Sequence, residues 1–148
     1  DSAVGIDLKT TESSDEDEPA DVKALRARVR KAESDAKQAK EFKKAIEVCQ
    51  KIIDIDVSFY YAYNRIGLCY LHLENEDQAK NFFEKAIQIK PDYLEGLTNY
   101  GFVLQKLRNH SLATMQFEKA LNIDPNGIET LVNLGKAYFD EGKLAKRG

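Results

Sequence analysis

YNRIGLCY, residues 63–70, places Gly67 inside a stretch that otherwise reads as a helix. An interior glycine costs a helix about 1 kcal/mol relative to alanine, so it either weakens the helix or answers a packing need. Glycine recurs at Gly101 and Gly135, each 34 residues after the one before. Its neighbours recur with it. Ile66, Gly67 and Tyr70 correspond to Tyr100, Gly101 and Leu104, and then to Leu134, Gly135 and Tyr138. Further along, Ala79, Phe83, Ala86 and Pro91 return as Ala113, Phe117, Ala120 and Pro125. A fixed period of this length marks an array of one supersecondary unit.

The pattern resembles the tetratricopeptide repeat family, whose helix-turn-helix units carry a large apolar residue, Leu-Gly, Tyr, Ala, Phe, Ala and Pro at fixed offsets. Residues 60–93 fit throughout, with Tyr63 where the family often has tryptophan. Residues 94–127 fit as well, with Leu97 at that place and Leu104 at the tyrosine position. Two flanking units are partial. In residues 20–59, EFKKAIEVCQKIIDIDV supplies a second helix with Ala45, Cys49 and Ile52 in the Ala, Phe and Ala positions, and Val57 replaces the proline. The first helix of that degenerate unit, over 21–40, has Glu33 where the glycine belongs. Residues 128–148 provide a first helix to near Glu141 and then end. The fold expected is all-α: a tetratricopeptide-repeat α-solenoid, a right-handed superhelix of about seven helices in three pairs plus an unpaired last one.

Local signals place the helix starts. Asp92 with Glu95, Asn126 with Glu129, and Asn75 with Gln78 each set a capping side chain three residues before a partner that can reach back. Pro91 and Pro125 stand where a helix cannot run through them.

Outside the repeats, DSAVGIDLKTTESSDEDEP, residues 1–19, has no helical period and no aromatic residue. Such a stretch buries too little surface to offset its chain entropy, so it is expected to be a disordered acidic tail ending at Pro19. Ser13 and Ser14, each with an acid three residues on, suit an acidic-directed kinase as well as they suit any solubilising tail. The net charge of −3 therefore hides an acidic start and a mildly basic remainder. Cys49 and Cys69 lie in apolar helical patterns rather than a spaced framework, which predicts buried, reduced thiols and a cytoplasmic protein. No run is long and apolar enough for a membrane span, and the acidic start is unlike a secretory signal. The chain opens on Asp1 rather than methionine, which fits a fragment.

The repeated small and aromatic residues have a packing explanation, so function is sought at positions that do not repeat. The family resemblance implies that the first helix of each unit lines a concave groove. On this chain that groove comprises Tyr61, Asn64, Arg65, Leu68, Leu71 and His72, then Glu95, Thr98, Asn99, Phe102, Gln105 and Lys106. The last helix adds Glu129, Val132, Asn133, Lys136, Phe139 and Asp140. Apolar anchors at Tyr61, Leu68 and Phe102 and amides at Asn64, Asn99 and Asn133 suit an extended peptide or a partner helix, because an amide can both donate to and accept from main chain. The alternative is a solvated face.

Two family functions can be weighed residue by residue. The clamp by which co-chaperone members hold C-terminal carboxylates needs Lys and Asn, then Asn, then Lys and Arg. Here those positions hold Asn64 and Leu68, then Asn99, then Glu129 and Asn133, and one unit earlier Arg30 and Ser34, then Arg65, then Glu95 and Asn99, so the clamp is rejected in both registers. Asn99 and Asn133 resemble two rungs of the asparagine ladder of the protein O-linked glucosamine transferase, but Arg65 breaks it. A non-catalytic arm of a larger enzyme is thus one alternative.

No catalysis, cofactor or metal is expected within the chain. His72 and His110 share no ligand spacing with each other or with the cysteines, and neither a phosphate-cradling glycine loop nor a nucleophile elbow occurs. The basic stretch over 21–51 interleaves acids and nearly lacks aromatics, which argues against nucleic acid and for a solvated helix. On the last helix, Leu131, Leu134 and Tyr138 would normally meet a following helix. Their stripe suggests either a longer chain or a head-to-tail contact that makes a homo-oligomer, a self-associating scaffold coating an assembly or organelle surface. The first expectation remains a non-catalytic scaffold for a protein or peptide partner.

Overall fold

The computed structural model describes residues 18–147, and the acidic stretch before them, with Ser13 and Ser14, lies outside the described residues. Six α-helices and no strand occur among those residues: α1 Ala20–Ile55, α2 Tyr60–His72, α3 Glu76–Ile89, α4 Leu94–Lys106, α5 His110–Ile123 and α6 Ile128–Arg147. They divide into two compact units, one ending at Glu41 and one beginning at Phe42.

In the first unit, the backbone N–H of Lys23 donates to the carbonyl of Pro19 at 3.0 Å. Asp21 supplies a negative charge in the first turn, where the helix dipole favours it. Arg26 is paired with Glu18. Farther along, Lys31 and Asp35 form an exposed i,i+4 pair at 3.0 Å, and residues 30–38 are all exposed, as a solvated helix should be.

Six helices rather than seven arise because α1 is continuous over 36 residues. The complete repeats turn at Leu73-Glu74-Asn75 and Leu107-Arg108-Asn109, whereas 34 residues before the first of these stands Ala39-Lys40-Glu41. Glu74 and Arg108 take left-handed conformations, φ 60° and 66°. At each turn, two N–H groups reach back to the preceding helix: Asn75 to Tyr70 O at 2.9 Å and Glu74 to Leu71 O at 3.1 Å, then Asn109 to Leu104 O at 2.9 Å and Arg108 to Gln105 O at 3.0 Å. This is a Schellman ending. The same asparagines start the next helices, since Asn75 Oδ1 accepts from Gln78 N at 3.2 Å and Asn109 Oδ1 from Leu112 N at 3.4 Å. Ala39-Lys40-Glu41 has no such capping amide and consists of helix formers, so the helix runs on.

The Asn75 start is as expected, but Asp92 and Asn126 are not caps. Tyr93 N donates to Lys90 O at 3.1 Å and Gly127 N to Asp124 O at 3.2 Å, so each Pro pair forms a turn before its helix. Helix α4 then begins at Leu94 with no side-chain cap. In place of a cap, Asn126 donates its own N–H to Asp124 Oδ1 at 3.3 Å.

The second unit packs around two apolar clusters. One joins Cys49 and Ile53 of α1 to Ala62, Tyr63 and Ile66 of α2 and Ala86 of α3. The other joins Ala79 and Phe83 of α3, Tyr100, Val103 and Leu104 of α4, Ala113 and Phe117 of α5, and Ala137 of α6. Both cysteines are buried free thiols, and burial pushes both thiols up. A Cβ added at Gly67 would stand 2.5 Å from Phe83 Cε1, and one at Gly101 would stand 2.5 Å from Phe117 Cε1. The glycine is therefore the seat of the phenylalanine ring from its own unit's second helix. At Gly135 the same Cβ would meet nothing within 4 Å.

Candidate interaction groove

Helices α2, α4 and α6 are the first helices of successive units, and some of their non-repeating side chains line a shared groove. Two adjoining depressions lie along it. The first, about 330 Å³, is lined by Leu71, Thr98, Asn99, Phe102, Glu129 and Asn133. The second, about 170 Å³, is lined by Phe102, Gln105, Lys106, Phe117, Asn133, Lys136 and Asp140. Phe102 and Asn133 belong to both, and Phe102 remains 37% exposed.

At the α2 end, Tyr61 is exposed and Arg65 half-buried. The Arg65 guanidinium lies 4.9 Å from the centre of the Tyr61 ring and also donates to the Tyr61 hydroxyl. The His72 ring is exposed but stacks on Phe42, with centroids 4.7 Å apart and planes 7° from parallel. Leu68 packs partly into the core.

Asn64 is corrected from groove to interior. It is 0% exposed, and its amide is spent inside the scaffold. Asn64 Oδ1 accepts from Asn99 Nδ2 at 3.0 Å, and Asn64 Nδ2 donates to the Tyr93 hydroxyl at 3.3 Å. That hydroxyl in turn donates to Glu95 at 3.4 Å. Burial, with the Glu95 carboxylate beside it, pushes the Tyr93 phenol up to about 12. Thr98 is also buried, donating to Leu94 O at 3.1 Å and lying 3.4 Å from the Thr130 hydroxyl. Neither residue offers its polar atoms to a ligand. Asn99 and Asn133 are half-buried and line the first depression, and Glu95 and Glu129 are exposed.

At the other end, Lys106 places its ammonium 5.5 Å over the Phe102 ring, and Lys136 is exposed on α6. A network that no periodic signal announced lies behind them, because each member comes from a different helix. His110 Nδ1 donates to Gln105 Oε1 at 2.8 Å, and Gln105 Nε2 donates to Asp140 Oδ2 at 2.7 Å. His110 is buried, and its other ring nitrogen has no partner among the described residues.

Of the expected apolar stripe on α6, Leu134 is packed against the core and leaves it. Leu131 is 46% exposed where its equivalent Leu97 is 1%, and Tyr138 is 50% exposed where Leu104 is 1%. These two flank the open seat at Gly135. The Tyr138 hydroxyl donates to Glu118. Among the described residues, no group of three or more His, Cys, Asp or Glu could hold a metal ion. No helix among them is long and apolar enough to cross a membrane.

A family profile described as tetratricopeptide repeat matches residues 60–93, and a second of the same description matches 94–126. Superkiller complex protein 3 of Homo sapiens is 35% identical over 72 residues, which is 47% of this chain and 5% of that protein. Uncharacterized protein ycf37 of Pyropia yezoensis is 38% identical over 48 residues, 32% of this chain and 27% of that one. The chain thus spans a small part of the curated relatives it matches. Among solved structures, the first tetratricopeptide domain of Spaghetti (RPAP3) bound to the HSP90 peptide SRMEEVD has a TM-score of 0.67 at 20% identity, covering 74% of this chain and 89% of that one. MamA protein has a TM-score of 0.64 at 25% identity, covering 68% and 55%. Glycine-on-phenylalanine seats 34 residues apart, two consecutive matched units and these structural likenesses agree: residues 60–126 are two tandem tetratricopeptide repeats, and the chain has the tetratricopeptide-repeat fold.

Proposed function

We propose that the chain is a non-catalytic protein-interaction scaffold that holds an extended peptide or a partner helix along α2, α4 and α6. The observation that carries this reading is the pair of adjoining depressions that share the exposed ring of Phe102 and the amide of Asn133. An aromatic anchor beside amides that can pair with main chain is the surface chemistry of peptide recognition. The RPAP3 domain, similar in fold, is bound to a peptide, which supports the reading. The test is a peptide array probed with the chain and with an Arg65→Glu, Phe102→Ala variant. The variant is expected to lose capture while keeping its far-UV helicity. Unchanged capture would move the site to another face.

A second reading is self-association through α6, favoured by the open seat at Gly135 with Leu131 and Tyr138 exposed beside it.

A further inference from the structure

Positions 68, 102 and 136 are equivalent, and along the groove they read Leu, Phe, Lys. The apolar lining therefore gives way to a cation on α6. Lys106 of α4 joins Lys136 on the rim of the same depression, floored by Phe102. No carboxylate among the described residues forms an ion pair with either ammonium.

Asp140 is the one acid on that lining, and it is already occupied. Gln105 Nε2 holds its Oδ2 at 2.7 Å, and His110 Nδ1 holds the Gln105 oxygen at 2.8 Å, so the amide is fixed with its nitrogen toward Asp140. Two ammonium groups then face one engaged carboxylate. The neighbouring depression has Glu129 as its only charged lining residue, so the groove changes sign along its length. A helix-dipole preference explains part of this, because Lys106 lies in the last turn of α4. It does not explain Lys136, which lies eight residues into the 20-residue α6.

We infer that the Lys106–Lys136 depression receives the side-chain carboxylate of an Asp or Glu within an extended partner segment, while a neighbouring apolar side chain of that segment lies on Phe102. This rests on the groove reading above and adds the partner's chemistry and its direction: the acid sits at the Lys pair, and the chain runs from there toward Glu129. The acid is a side chain rather than a chain terminus. The clamp positions that would hold a terminus in the register of this depression carry Asn64, Leu68, Asn99, Glu129 and Asn133, which supply no cation.

The test is fluorescence anisotropy of the full chain with short, end-capped peptides in which a leucine is fixed and a nearby position is Glu, Gln or Lys in turn. End capping removes the terminal carboxylate as a source of binding. The Glu peptides are expected to bind roughly fivefold tighter than the Gln peptides, as two partly exposed ion pairs allow, with the Lys peptides weakest. Raised salt should shrink the difference. Lys106→Gln with Lys136→Gln should erase the Glu preference, and Lys106→Glu with Lys136→Glu should transfer it to the Lys peptides, with helicity checked for each variant. Binding that Phe102→Ala abolishes but that shows no Glu preference overturns the inference and leaves the groove reading standing. A Glu preference that survives the double Gln variant also overturns it. Binding indifferent to Phe102→Ala, or no binding by any peptide, overturns the groove reading and the inference together.

Discussion

Glycine at one register of the repeat does two opposite things in this molecule. At Gly67 an added methyl group would press on Phe83, a ring with no exposed surface and nowhere to go. Gly67→Ala is therefore expected to lower stability by about 1–3 kcal/mol through overpacking, despite alanine's better helix propensity. At Gly135 the methyl group meets open space. Gly135→Ala is expected to raise stability by up to about 1 kcal/mol, the propensity difference alone. Urea unfolding of both variants checks the pair, and the same sign for both would contradict the seat assigned to Gly67. The helix-crossing role of these glycines was legible in their period. The open seat at Gly135 accords with the unpaired last helix expected from the same register.

Between helices, the turns hold more information than the helices they join. Glu74 and Arg108 bear side chains in a left-handed conformation that glycine adopts without penalty. Arg108→Gly is expected to stabilise by about 1 kcal/mol. Asn109→Ala should cost about 1 kcal/mol by removing the α5 cap. Thermal midpoints of the two single variants, moving in opposite directions, would verify this division of labour. The absence of a comparable Asn at Glu41 explains why a helix pair read from the register of Ala45, Cys49 and Ile52 is assigned as one helix, α1. The repeat pattern records which residues pack, and packing positions can be kept where a turn is lost. Asp92 and Asn126 misled for a related reason: their spacing to an acid suits a cap, but a Pro turn had already claimed their backbone.

For the whole array, stability comes from each unit covering its neighbour, and the last helix is covered on one side by α5 and α4. If self-association completes α6, light scattering after size exclusion should show mass rising with concentration, and Leu131→Glu with Tyr138→Glu should hold the chain monomeric. A wild-type mass that stays constant to high micromolar concentration would sink that second reading. Most of the candidate face was legible, since equivalent positions on successive first helices point the same way. What could not be read was which polar side chains are already engaged. Asn64 and Thr98 sit at groove positions yet turn their hydrogen bonds inward, and His110, Gln105 and Asp140 meet only because three helices bring them together. One-sided support for α6 also bears on kinetics and measured affinity. A terminal helix of this kind opens locally more often than the elements behind it, so its amides should exchange hydrogen before those of α4. A ligand touching both Phe102 and Lys136 then binds only the closed fraction of molecules, and its apparent affinity measures how often the last helix is shut as well as how well the contacts fit.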